Sequence, residues 1–230
     1  MSSWKARLAI VLIAPALLAA VAATREDRAP GVAAAQPAAG TPARPPSRAL
    51  GLPYRGRLLN GVALAEESDF HYTWDFGLAA SPNRWFRRYG TGRLVAMVAR
   101  VTGVYGAAHP DLARVGVADL SLPRGGPFGT RWGGLGHRSH QNGLDVDVLY
   151  PRRDLCECPP DTPADVDRVR SQELVNLFVR AGAQYVFVGQ RVGLRGPRRV
   201  VEAIPLHDDH MHVRIPPDRP APAPRQAPRP

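Results

Sequence analysis

Leu144-Asp145-Val146-Asp147-Val148-Leu149 alternates apolar and acidic residues, and His210-Met211-His212-Val213-Arg214-Ile215 alternates polar and apolar ones. A strand sends successive side chains to opposite faces. The first stretch therefore turns Leu144, Val146 and Val148 one way and Asp145 and Asp147 the other. The second buries Met211, Val213 and Ile215 and leaves His210, His212 and Arg214 together on its polar side. Working outward, residues 92–104 carry Leu94, Val95, Val98 and Val101 at helical spacing. Residues 115–120 read as a short strand, closed by the turn signals Pro123, Gly125, Gly126 and Pro127. Thr162-Pro163 opens a second helix whose stripe is Val166, Val169, Leu174, Leu177 and Phe178. Residues 185–188 form a further strand. Strands and helices mix without a β-α-β rhythm, so the expected fold is an α+β domain on a mostly antiparallel sheet with flanking helices. No internal repeat is visible.

The ends of the chain read differently. Lys5 and Arg7 precede an apolar run from residue 8 to residue 23, and Ala20-Val21-Ala22 offers small residues for cleavage, so 1–23 reads as a signal peptide. Pro15 interrupts the run, which is shorter than the roughly 20 apolar residues of a membrane span. Residues 24–49 are an Ala- and Pro-rich linker, and 217–230 a Pro- and Arg-rich tail that favours extended, unpacked chain. The domain of 50–216 is long enough for a core of its own.

Formal net charge is +10, and Lys5 is the only lysine, so the positive charge is almost wholly arginine. A basic surface suits an anionic partner such as a wall polymer or anionic lipid. Arg55, Arg57, Arg84, Arg87, Arg88, Arg198 and Arg199 are scattered, with no nucleic-acid motif, and an exported chain is not expected to bind nucleic acid. The two cysteines form Cys156-Glu-Cys158. A disulfide is the default for an exported protein, but the ring would be very small, and a free pair, an intermolecular bridge or a metal contact stay open.

Five of the seven histidines fall in two short segments, at 137 and 140 and at 207, 210 and 212. An H-x-H pair on a strand, joined by a His and an Asp seven residues apart, makes a three-ligand zinc site. Three protein ligands leave one position for water, the mark of a catalytic zinc. Asp147 and the pair His210/His212 lie on polar strand faces that converge if the strands are neighbours, which puts the site on the open face of the sheet. Gly143 gives the backbone the freedom to fold His140 back toward Asp147.

The segments Ser-His-Gln-Asn-Gly-Leu-Asp-Val-Asp (139–147) and His-x-x-His-Met-His-Val-Arg (207–214) closely resemble the penicillin-insensitive murein endopeptidases. These belong to the wider group of lysostaphin-type peptidases, D-Ala-D-Ala peptidases and hedgehog domains. Arg57-Leu-Leu-Asn-Gly61 and Gly116-Val-Ala-Asp119 look similar too. The resemblance implies one zinc ion on His140, Asp147 and His212, with His210 catalytic and His207 in a general-base or supporting position. It places His137 beside the first ligand. Asp145 is suited to orient a ligand's second nitrogen, or equally to stand as a solvated acid. Arg214 is suited to a substrate carboxylate, or to a salt bridge with Asp208 or Asp209. Of Trp74, Trp85 and Trp132, only Trp132 is assigned to the cleft. The implied reaction is hydrolysis of D-alanyl–diaminopimelyl cross-links in peptidoglycan through a zinc-activated water, in the periplasm or outside the cell. The chain departs from the family in lacking a cysteine-rich C-terminal extension, and in having no His between 147 and 207 for a second metal. Two alternatives remain: a D-Ala-D-Ala carboxypeptidase or dipeptidase of the same group, and a zinc-containing wall-binding module without activity.

Overall fold

The two alternating stretches are neighbours in space. The computed structural model describes residues 45–129 and 138–218. In chain order the elements are β1 (Arg48–Leu52), β2 (Arg55–Leu59), β3 (Val62–Ala63), β4 (His71–Thr73), a 3-10 turn (Trp85–Arg87), β5 (Tyr89–Gly90), α1 (Gly92–Ala108), β6 (Val115–Val117), β7 (Asp145–Leu149), α2 (Arg168–Arg180), β8 (Tyr185–Gly189), β9 (Val201–Ile204) and β10 (His210–Arg214). β1 begins two residues before the expected domain start.

A six-stranded sheet runs in the order β4-β6-β7-β10-β8-β9. It is mixed: antiparallel through β6, β7, β10 and β8, and parallel in the edge pairs β4–β6 and β8–β9. The expectation of a mostly antiparallel sheet therefore holds for the centre and fails at both edges. β1 and β2 form a separate antiparallel hairpin, and β3 and β5, distant in sequence, form a short antiparallel pair.

One face of the sheet is the core. Val115, Val117, Val146, Val148, Val186, Val188, Met211 and Val213 meet Leu94, Val98, Val101 and Tyr105 of α1 and Leu174, Val175 and Phe178 of α2. Each large apolar side chain buried here contributes roughly 1.5–3 kcal/mol. Thr91 caps α1 by accepting from the Leu94 amide, and the helix ends at His109, before Pro110. Gly106 is needed within it, because a Cβ there would come within 2.6 Å of the Phe70 ring.

α2 corrects the expected start at Thr162-Pro163. Thr162 closes a local turn with Asp165, and Asp167 supplies the cap by accepting from the Arg170 amide. Val166 is buried but precedes the helix, bridging to Arg152, and Val169 is exposed. Cys156 and Cys158 form an intrachain disulfide, which resolves the alternatives left open by their spacing.

Candidate metal centre

The opposite face of the sheet carries the polar halves of the alternating strands. β7 and β10 pair with His212 opposite Asp147, Arg214 opposite Asp145 and His210 opposite Leu149. This register lines up Asp145, Asp147, His210, His212 and Arg214 on one side. The face is not open at the site: His140 and Asp147 are at most 1 % exposed and His212 is 6 % exposed. The turn before β7 folds over the strands, and Phe128 and Phe187 stand against the His140 and His212 rings.

That turn brings in His140. Gly143 adopts φ +75°, and a Cβ there would come within 2.8 Å of Leu58. His140 itself has φ +64°. The strained turn is held where Thr91 donates to the Gly143 carbonyl and the His140 amide donates to Asp145 Oδ2.

Three atoms converge. His140 Nε2 lies 3.1 Å from His212 Nδ1 and 3.3 Å from Asp147 Oδ1, and His212 Nδ1 lies 3.0 Å from the same oxygen. Ligands at 2.0–2.1 Å from a tetrahedral zinc are about 3.3 Å apart, so the three atoms are spaced as such an ion requires. The outer nitrogens fix the tautomers. His140 Nδ1 donates to the Leu120 carbonyl, and His212 Nε2 faces Asp145 Oδ1 at 3.0 Å. Both outer nitrogens then act as donors, so two imidazole lone pairs and a carboxylate point at one buried spot, which a cation fits and a neutral group does not.

The electrostatics agree. Burial works against charge on Asp147, but His140, His210 and His212 outweigh it and hold its pKa well below the carboxylate range. Burial also opposes a charged His212, yet Asp145 and Asp147 raise its pKa to about 9. Two carboxylates in a closed space draw positive charge to this spot, as a proton or as a metal ion.

Around the ligands lie the other predicted residues. His210 Nδ1 donates to Asp209 at 2.6 Å, which turns Nε2 toward Asp147 Oδ1 at 3.8 Å. The His207 ring centroid is 4.8 Å from that of His210, and His207 Nδ1 donates to the Pro205 carbonyl, so its Nε2 is the acceptor. Burial lowers the His207 pKa, favouring the neutral base. Asp145 takes Arg214 Nε at 2.6 Å as well as the His212 contact. Arg214 is therefore not paired with Asp208 or Asp209, which hold Arg191 and His210. His137 and Trp132 lie outside the described residues.

Several contributors were not anticipated. Tyr150 donates its hydroxyl to the His207 carbonyl and accepts from the Gly189 amide. Arg87, read as one of a scattered surface set, is fully buried with its guanidinium on Asp119 and over the Phe128 ring; Arg88 is buried as well. Asp119 also accepts from Asn83. Its backbone carbonyl accepts from the Asp147 amide, and the next carbonyl, Leu120, receives His140. The Arg87–Asp119 pair thus clamps the segment on which both candidate ligands, His140 and Asp147, are hung. Nothing about a lone arginine in Arg84-Trp-Phe-Arg87-Arg88 distinguishes a buried guanidinium from an exposed one.

The penicillin-insensitive murein endopeptidase family matches the chain over residues 49–186, more than half its length. The match includes His140 and Asp147 and ends before His212. No curated protein matches the chain.

Proposed function

Because the chain belongs to the penicillin-insensitive murein endopeptidase family, we propose that it cuts peptidoglycan cross-links with the help of one zinc ion held by His140, Asp147 and His212. The observation that carries this reading is the convergence of His140 Nε2, Asp147 Oδ1 and His212 Nδ1 with the outer nitrogens of both rings already committed. A bound zinc would supply Lewis acidity and lower the pKa of a water in its open position to about 7.

The chain's own residues do the rest. Asp145 and the Leu120 carbonyl hold the two imidazoles in the tautomers that present their lone pairs. Asp209 orients His210, whose Nε2 takes a proton from the attacking water and returns one to the leaving amine. His207, fixed by Tyr150 and by the Pro205 carbonyl, stands beside His210 as a second acceptor of that proton. Against burial, His212, then His140 and Arg214, keep Asp145 charged, and the remaining N–H groups of Arg214 are offered to a substrate carboxylate. The resemblance assigns His137 to the side of the first ligand, and Trp132, in the Gly-rich segment before it, is assigned to the substrate side of the cleft. The bond cut is taken to be the D-alanyl–diaminopimelyl amide. Penicillin acylates a serine of the S-x-x-K type, and the only such match is Ser2-Ser-Trp-Lys5, within the proposed export signal.

This reading places the protein in the periplasm or outside the cell, with residues 1–23 as export signal; β1 begins at Arg48 and Asp218 pairs with Arg93, so the folded body reaches further than 50–216 at both ends. Among the described residues no helix is long and apolar enough to cross a membrane. The test is digestion of purified cross-linked peptidoglycan, with products read by mass spectrometry, using zinc-stripped, zinc-restored and His210→Ala protein. Dimers should fall to monomers only with zinc and His210 present. Tight zinc binding without cleavage of peptidoglycan or D-Ala-D-Ala peptides would replace this reading with the binding module.

A further inference from the structure

The β1–β2 hairpin has an outer face that the metal centre does not use. Its register sets Arg48 opposite Leu59, Leu50 opposite Arg57 and Leu52 opposite Arg55. Facing pairs and alternate positions share a side, so these six side chains occupy one face, and every pair joins an arginine to a leucine. The other face turns inward, with Leu58 buried and Ala49 packed on the core. All six outward residues are exposed; Leu50, Leu52 and Leu59 show 38 %, 44 % and 44 % of their surface, and Tyr54 at the turn shows 56 %. Arg84, Arg87, Arg114 and Arg152 are each held by a carboxylate. Arg48, Arg55 and Arg57 make no ion pair with any described residue.

Arginine and leucine interleaved at one depth ask for a partner with negative charge and hydrocarbon in adjoining layers. A lipid surface has this order, with phosphates at the level guanidinium groups reach and acyl chains just beneath. A glycan–peptide polymer offers carboxylates but no hydrocarbon layer for three leucines. We propose that the outer face of the β1–β2 hairpin docks on an anionic lipid surface. The docking would fix the position of the metal centre. The Gln141 amide donates to the Pro53 carbonyl and Asn142 Nδ2 to the Gly51 carbonyl, so the hairpin is tied to the turn that presents His140.

The proposal is tested by sedimentation with vesicles of phosphatidylcholine alone and of phosphatidylcholine with one quarter phosphatidylglycerol. The N-terminus of each preparation is read by mass spectrometry, so that every variant is compared in the same background. The variants are Arg48→Ser/Arg55→Ser/Arg57→Ser, Leu50→Ser/Leu52→Ser/Leu59→Ser, and the three arginines changed to lysine, each checked for an unchanged melting temperature. An arginine near an anionic surface is worth about fivefold in partitioning, so the serine-for-arginine variant should lose on the order of 100-fold on anionic vesicles. The leucine variant should also lose binding, and the lysine variant should keep most of it. Binding that is equal in all variants, or indifferent to phosphatidylglycerol, overturns the proposal. So does binding to isolated peptidoglycan sacculi with none to vesicles.

Discussion

Replacing Arg87 with methionine keeps a long side chain in a fully enclosed position and removes its charge. Arg87 Nε donates to Asp119 at 2.7 Å, a second N–H reaches the other carboxylate oxygen, and the guanidinium plane lies 4.6 Å from the Phe128 centroid. The methionine leaves Asp119 buried with Asn83 but without its guanidinium. Breaking a buried pair from one side costs about 3–5 kcal/mol. At roughly 2–4 °C per kcal/mol for a domain of this size, melting should fall by about 10 °C or somewhat more. Changing both partners, Arg87→Met with Asp119→Leu, should recover much of that loss, since no charge is then stranded. The carbonyls of Asp119 and Leu120 receive the Asp147 amide and His140 Nδ1. Zinc affinity should therefore drop roughly 10–100-fold in Arg87→Met. Scanning calorimetry of the metal-free protein and competition with a chromophoric chelator measure the two effects separately. The reasoning is refuted if Arg87→Met melts within about 2 °C of the parent, or if the double variant melts as low as the sum of the two single changes.

Asp145→Asn should keep the fold and weaken zinc binding about 10–100-fold, because an amide holds His212 Nε2–H and Arg214 less firmly than a carboxylate does; chelator competition reads it. Gly143→Ala adds a Cβ at φ +75° that meets Leu58 at 2.8 Å and should cost about 1–3 kcal/mol in urea unfolding. Asp75 is buried, which works against its charge, but Arg84 and then Arg87 hold its pKa below the ordinary value. A depressed folded pKa contributes stability above about pH 4 that is lost as pH falls through the folded value. Urea midpoints between pH 2.5 and 6 should therefore decline on the acid side, less steeply in Asp75→Asn.

Much of the metal centre was legible because strands of period two expose their chemistry directly. Alternation around Asp147 and His212 gave both strands, and the core-facing valines confirm their orientation. His140 was harder, since it reaches the site through a turn at positive φ, and only Gly143 signalled it. The rest depended on contacts between distant segments. Leu58 is buried and Leu59 exposed, yet in residues 48–59 arginine and leucine share the outer positions and mostly alanine and glycine the inner ones, so no apolar face marks the hairpin. Val166 and Val169 fit a helical stripe, but Asp167 captured the cap and left one before the helix and the other in solvent. Arg214 found Asp145 across the strand pair rather than the acids nearer in sequence. The parallel edges of the sheet come from β4 and β9, short segments with no distinctive pattern.

The last strand among the described residues lies in the middle of the sheet. β10 enters between β7 and β8, strands laid down well before it, and it alone joins the β4-β6-β7 half to the β8-β9 half. His212 comes with it, so the candidate ligand set is completed by the latest of the described strands rather than by an early one. A chain made only as far as β8 holds His140 and Asp147 but not the third candidate ligand. A fragment ending before residue 210 should therefore hold no metal at this site, however well its two halves persist.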